Sequence, residues 1–471
     1  MNAGPPETKF QRSLGLLPAI AVNLTQICGV GPFITIPLLV AAMGGPQAIL
    51  GWLAGVVLAL SDGLVWAELG AAMPGAGGSY LYLREAFQYR TGRLMPFLFV
   101  WTAMIAIPLI MATGVIGIVQ YLAFTFPGLA GRPSQVISVA VVAIVVFALC
   151  RDIKSIARLN NVLCVIMLVT VGAVIAATFT HFQPRLAFTY PPGAFALDRR
   201  FFAGLGAGLL LAIFDYAGYY TTAYLAGEIR DPGRVVPRSI VSSILIMMVI
   251  YLAMNIGILG VVPWSEVAQS TAIGSLVMDR VWGHTAAHVL TILIILTAFG
   301  SIFTGLLGGS RVPYHAARDR LFFPVFARLH PTLHFPSVAL IVMGIVTAAA
   351  TFFPLDAVIN MLTAVMVLIQ AVGQIFALTV LRRRQPDLRR PYRMWGYPVT
   401  SVIALAGWIY VYVASGERMI LLSLAWVGLG VIAFLGWAFF EKTWPFGPKE
   451  IREEFLEEQR GSTVPSSVID P

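Results

Sequence analysis

The chain has 471 residues, 58% of them hydrophobic and only 11% charged, with a formal net charge of +9. Soluble chains of ordinary make-up carry about 25% charged residues, so this composition and the mean hydropathy of +0.83 exclude a soluble globular protein and indicate an integral membrane protein. Runs of about 20 apolar residues suit helices crossing a hydrocarbon core of about 30 Å and exclude an outer-membrane barrel, whose strands alternate over about 10 residues.

Apolar windows bounded by polar or Pro/Gly clusters fall near 17–43, 46–73, 94–124, 134–150, 155–180, 201–226, 237–262, 285–310, 337–354, 356–381, 396–415 and 418–440. They predict an all-α protein with twelve transmembrane helices. The first window follows Lys9 and Arg12 but is too long for a signal-peptide core and leads straight into the second, so it is expected to stay in the mature protein. It contains Cys28-Gly29-Val30-Gly31-Pro32-Phe33, with Pro37 little more than a turn later. Pro32 removes a backbone donor and the two glycines relax the helix; a membrane tolerates such a break only where protein or a water-filled cavity satisfies the freed backbone groups.

The second window carries Asp62 and Glu68. A carboxylate within a span costs about 2.5–3.5 kcal/mol on insertion scales and calls for a function. Asp62 lies the deeper of the two. Glu68, near the end of its span, suits pairing with an arginine or a helix end as well as a transport role. Cys28, Cys150 and Cys164 sit in or beside apolar windows without metal-ligand spacing and are read as packing residues.

The sixth window contains Phe214-Asp215-Tyr216-Ala217-Gly218-Tyr219-Tyr220, after Gly204, Gly206 and Gly208. Those three glycines also suit close helix packing. An isolated carboxylate in hydrocarbon either takes up a proton or meets a cation, so Asp215 is read as a proton acceptor or ammonium ligand. Phe33, Phe214, Tyr216, Tyr219 and Tyr220 flank the two breaks and are placed to gate a cavity or hold an ammonium group. Broken windows separated by five match two five-helix halves, each opening with a helix interrupted at a substrate site. The helix ends would offer N–H groups to an anion and carbonyls to a cation, which fits a zwitterion.

The histidines lie mostly in connections or near span ends, and Gly75-Ala76-Gly77-Gly78-Ser79 lacks the Gly-Lys-Ser/Thr ending of a phosphate loop. No metal site or cofactor is expected, and a membrane enzyme or sensor is the remote alternative to a transporter. The tail from 441 has a charged helical stretch, Lys449 to Arg460, and a Ser/Pro-rich end. Of the 31 basic residues, 25 fall in the two termini and alternate connections, which places both termini in the cytoplasm. The basic excess is thus a topology signal, and nucleic acid is not an expected partner; the lipid bilayer is.

Taken in order, five motifs resemble the amino acid-polyamine-organocation superfamily from about Leu14 to Phe440. They are Gly29-Val30-Gly31-Pro32-Phe33; Ala67-Glu68-Leu69-Gly70 with Met73-Pro74-Gly75; Ala226-Gly227-Glu228-Ile229-Arg230-Asp231-Pro232 with Val236-Pro237-Arg238; Ser310-Arg311-Val312-Pro313-Tyr314 with Ala317-Arg318-Asp319; and Arg389-Arg390-Pro391-Tyr392 with Gly396-Tyr397-Pro398.

The resemblance implies a LeuT-like five-plus-five inverted repeat (about 14–180 and 201–381) with two additional C-terminal helices (396–440), between a cytoplasmic N-terminus (1–13) and tail (441–471). It implies alternating-access transport of a small molecule, an amino acid or an amine, by proton symport or exchange. Carried over, it nominates Gly29, Val30 and Gly31 for the substrate carboxylate and Phe214, Asp215, Ala217 and Gly218, with Tyr219 beside them, for the amine, while Asp62 and Asp215 are the acids available for proton coupling. Three departures stand out. Val30 replaces a common serine beside donorless Pro32, Met167 stands where many members carry a helix-five lysine, and Asp215 adds a charge. The Gly31-Pro32-Phe33 run and Asp62 resemble the polyamine-uptake branch, so an amine remains the alternative substrate to an amino acid. Whether a partner subunit is needed is not readable from the sequence.

Overall fold

In the computed structural model, which describes residues 14–75, 78–129, 131–150, 153–330 and 335–446, helices occupy most of the chain. Among the described residues the only β pairing is an isolated bridge between Leu14 and Ile229. Residues 1–13, Ala76, Gly77, Arg151, His334 and the tail beyond 446 lie outside the described residues, as do the side chains of Arg132, Lys154, Arg158, Asn160, Asn161 and Cys164.

The first apolar window forms α1 (Leu16–Ile27) and α2 (Gly31–Met43), which meet at a bend of 52°. The chain continues through α3 (Ile49–Ala72), α4 (Ser79–Thr91), α5 (Leu94–Thr125), α6 (Arg132–Leu149), α7 (Ile153–Thr180) and the one-turn α8 (Pro184–Ala187). The sixth window is interrupted where its Gly and Tyr cluster predicts, between α9 (Arg199–Tyr216) and the short α10 (Thr221–Tyr224). Then come α11 (Pro232–Leu259), α12 (Trp264–Val267), α13 (Ile273–Trp282), α14 (His284–Gly309), α15 (Arg311–Arg318) and α16 (Ser337–Ala350). Finally α17 (Leu355–Met366) passes through a π-turn at Val367–Val372 into α18 (Gly373–Arg384), followed by α19 (Val399–Ala414) and α20 (Glu417–Phe440).

Six helical stretches are long and apolar enough to cross a bilayer, and the bent α1–α2 pair makes a seventh; four more apolar helices, in α6, α7, α16 and α19, are shorter. Local chemistry sets the starts. Asp198 caps α9 by accepting from the Phe201 N–H at 2.8 Å, which begins that helix two residues before its window. Pro232 occupies the first turn of α11, where a missing N–H costs nothing, so that helix begins five residues before its window.

Burial separates the centre from the periphery. In the apolar window of α5, 78% of residues are buried, against 17% in α20. Outward faces carry Phe147, Val165, Ile345 and Ile432, all exposed, over an extent that hydrocarbon accepts and water does not. The α3–α9 crossing is close because each helix offers small residues four apart, Gly51 and Gly55 on one and Gly208 and Ala212 on the other, while Gly204 faces α2. A Cβ on Gly51 would come within 3.3 Å of the Gly208 carbonyl carbon, one on Gly55 within 2.8 Å of Ala212 Cβ, and one on Gly204 within 2.8 Å of the Ala42 oxygen. α9 is therefore wedged between α2 and α3, which brings the two helix breaks against each other.

Candidate functional site

The breaks lie against each other. At the first, the Cys28 N–H closes on Leu24 O at 2.8 Å, Gly29 N–H on Ile27 O at 3.1 Å and Phe33 N–H on Val30 O at 3.0 Å. Pro32 has no N–H, so Val30 and Gly31 supply the backbone donors left without a backbone partner at the start of α2, where the helix dipole is positive. At the second, Ala217 N–H turns back to Phe214 O at 3.1 Å and Thr221 N–H to Gly218 O at 3.0 Å, so the last turn of α9 releases carbonyls. Gly218 adopts φ 117°, a conformation that favours glycine. A Cβ there would stand 2.8 Å from Gln26 Cγ and 3.1 Å from Ile27 N. The second break can press on the end of α1 only because position 218 has no side chain.

Polar side chains fasten the junction. Asn23 Nδ2 donates to Thr222 Oγ1 at 3.2 Å and to Ser243 Oγ at 3.3 Å, and its Oδ1 accepts from Thr222 N–H at 3.0 Å. The Tyr251 hydroxyl lies 3.1 Å from Ile27 O and 3.0 Å from Asp215 O, the carbonyls at the two broken ends. The Tyr121 hydroxyl donates to Phe33 O at 3.0 Å and accepts from Gly274 N–H at 3.2 Å.

The side chain of Asp215 leaves α9 toward α2. A Cβ on Gly31 would fall 2.2 Å from Asp215 Oδ1, so only glycine leaves room for the carboxylate there. Thr35 donates its hydroxyl to Oδ2. Oδ1 is buried and has no hydrogen-bond partner, and the residue is 2% exposed. An unpartnered buried oxygen is costly, which marks it as a place for a proton or a donor.

A cavity of about 740 Å³ opens on this junction, lined by Gly29, Val30, Gly31, Phe214, Asp215, Ala217 and Gly218, a size suited to a small-molecule site. Its lining also includes the apolar Phe99, Ile107, Ile110 and Met111 and the polar Tyr80, Glu228, Arg311 and His315. Tyr219 turns away from this cavity. Its hydroxyl donates to Asp62 Oδ2 at 2.5 Å, while Trp408 Nε1 donates to Oδ1 at 3.0 Å. Asp62, expected to share in proton coupling, thus sits in a separate, water-sized pocket of about 30 Å³ with both oxygens bonded. Ile110, Phe214, Ala217, Tyr220, Met366 and Gln370 line both spaces and form the wall between them.

Glu68 belongs to neither space. Arg382 donates to both of its oxygens, at 2.8 and 2.5 Å, the Met394 N–H donates to Oε2 at 2.8 Å, and Arg390 Nε stands 3.5 Å from Oε1. Arg390 also donates to the carbonyls of Leu381, Gln385, Pro386 and Leu388, closing the end of α18. Burial lowers its pKa from the ordinary guanidinium value, partly countered by Glu68. The pairing alternative for Glu68 is therefore realised, and it ties the loop after α18 to α3.

Seven of the eight nominated substrate residues thus surround one cavity, and Tyr219 does not. Thr35, Tyr251 and Asn23, which carry no sequence mark of their own, fasten the junction behind the cavity without lining it. Among the described residues no group of three or more His, Cys, Asp and Glu side chains could hold a metal ion.

The amino acid permease family model matches residues 14–438. The chain is similar to an aspartate-proton symporter of Bacillus subtilis (strain 168), 26% identical over 94% of this chain and 85% of that protein. It is similar to the branched-chain amino acid permease BcaP of the same organism, at 23% over 91% and 93% of the two chains. The serine/threonine exchanger SteT, also of Bacillus subtilis (strain 168), is 27% identical over 85% of this chain and 90% of its own length.

Proposed function

Since the chain belongs to the amino acid permease family and is a multi-pass membrane transporter of amino acids, not an enzyme, we propose that the cavity between its two helix breaks is the substrate site of an alternating-access secondary transporter. The observation that carries this reading is the abutment of the breaks, with free donors at Val30 and Gly31 facing the carbonyl end of α9 across one cavity. The substrate carboxylate meets the start of α2, and its ammonium meets the backbone around Phe214, Asp215, Ala217 and Gly218. Tyr219 supports the second break from behind through Asp62.

The architecture in this reading is twelve spans, five plus five (14–180 and 201–381) and then two (396–440), in the cytoplasmic membrane with 1–13 and 441–471 inside. The polar end of the cavity lining, at Glu228, Arg311 and His315, then lies toward the cytoplasm, and transport runs by proton symport or exchange, the two modes named among the relatives. An amine substrate is the second reading, favoured by the short supply of N–H donors beside Pro32 and by the extra acid at Asp215. Proteoliposome uptake of radiolabelled amino acids and of putrescine, with an imposed pH gradient or with internal counter-substrate, tests both. Amino acid accumulation under one of these driving forces supports the proposal; uptake of putrescine alone favours the amine, and uptake of none sinks both.

A further inference from the structure

We propose that Asp215 is a tethered substitute for the substrate carboxylate: ionised, it occupies the anion subsite at the start of α2, so an amino acid's carboxylate enters only together with a proton that neutralises Asp215. The inference rests on the substrate reading above and specifies how its proton coupling would arise.

Its carboxylate lies over the first turn of α2, with Oδ1 2.2 Å from where a Gly31 Cβ would be and Thr35 donating to Oδ2. The same first turn carries the backbone donors of Val30 and Gly31 that have no backbone partner, since Pro32 has none, and Asp215 lies beside them without bonding to either. Oδ1 is buried, has no partner and belongs to a residue that lines the cavity. The helix end offers about half a positive charge, enough to favour one carboxylate there, and two carboxylates sharing one site do not both ionise. The titratable groups near Asp215 are Tyr216 next to it, Tyr251 of α11 and Cys28 at the end of α1, and none is cationic. Among the described residues no Lys, Arg or His side chain forms an ion pair with Asp215.

The step is a proton exchange. A proton from water binds Asp215 Oδ1, forming the O–H bond; with that charge removed, the substrate carboxylate takes the free N–H groups of Val30 and Gly31. After reorientation the substrate leaves, the O–H bond breaks and the proton departs to the other side. A substrate without a carboxylate reverses the linkage, because its ammonium is best held by the ionised form.

The test uses the purified full-length protein, titrated between pH 5 and 8 with each of the twenty standard L-amino acids and, for those that bind, with the matching decarboxylated amine. The amino acid's Kd should rise about tenfold per pH unit above the titration of Asp215, while the amine's falls about tenfold per unit below it, as exclusion or uptake of one proton requires. Asp215→Asn should flatten both profiles and abolish accumulation driven by a pH gradient. An amino acid whose affinity rises with pH alongside its amine, or is flat in the wild type, overturns the inference and leaves the substrate reading standing. Binding of no amino acid at any pH overturns both. If Asp215→Asn does not fold, the opposed wild-type profiles decide alone.

Discussion

Replacing Glu68 with Gln removes a charge while keeping the side chain's shape. The Glu68 side chain is 1% exposed, and its partners Arg390 and Arg382 are 6% and 20% exposed. Removing one partner from a buried pair costs about 3–5 kcal/mol, because the other charge stays buried without compensation. The low end applies, about 3 kcal/mol, since Arg382 can turn toward water and Arg390 keeps its four carbonyl acceptors. Domains of roughly 200 residues lose about 2–4 °C of melting temperature per kcal/mol, and larger chains lose less; a drop of about 5 °C in detergent micelles is the expected result.

Glu266→Gln is the control. Its pair with Arg280 is short, 2.7 Å, but 42% and 39% exposed, and exposed pairs contribute about 0–1 kcal/mol. If burial decides the energy, Glu68→Gln melts well below Glu266→Gln, and Arg382→Gln adds little on the Glu68→Gln background. Equal effects at the two sites, or strict additivity of Glu68→Gln with Arg382→Gln, would refute the assignment of Glu68 as the anchor of the loop after α18.

Gly218→Ala should lose most uptake and about 2 kcal/mol of stability, from a Cβ pressed on Gln26 and from the left-handed backbone, whereas Gly428→Ala, with nothing within 4 Å, should be neutral or slightly stabilising by thermal melting. Tyr251→Phe should destabilise by about 1–3 kcal/mol by leaving buried carbonyls at both breaks unmet, and wild-type melting would count against its clamping role. Tyr219→Phe should lower uptake without moving the Kd for substrate more than about threefold, or about 0.7 kcal/mol, because its hydroxyl is bonded to Asp62 outside the cavity; a large loss of affinity in a binding titration would place Tyr219 in the substrate site instead.

The breaks are readable in the sequence because glycine and proline disturb helices whatever surrounds them, and Asp62 and Asp215 because hydrocarbon makes any carboxylate conspicuous. What these acids meet is another matter. Thr35, Asn23 and Tyr251 look like ordinary members of apolar helices, and their partners lie 180, 199 and 224 residues away. The direction of Tyr219 is equally hidden: it lies beside a cavity-lining glycine, yet a turn in non-helical backbone sends its ring to the opposite side. Arg390 shows the same limit from the surface, since a basic residue in a connection reads as topology charge until the loop folds back and its guanidinium finds four carbonyls.

The π-turn at Val367–Val372 has a mechanical meaning of its own. Such a turn stores one residue more than an α-helix of equal rise, so the faces of α17 and α18 are offset by about 100° from a continuous helical register. Met366 and Gln370, four positions apart, nevertheless both reach the wall shared by the two spaces. Passing the stored residue on in either direction would rotate the intervening turn by about 100° and slide it by about 1.5 Å with no helix end created. The partition beside Asp62 is thus built on a dislocation in the helical lattice, and a dislocation is the kind of defect that lets a stiff rod change phase without breaking.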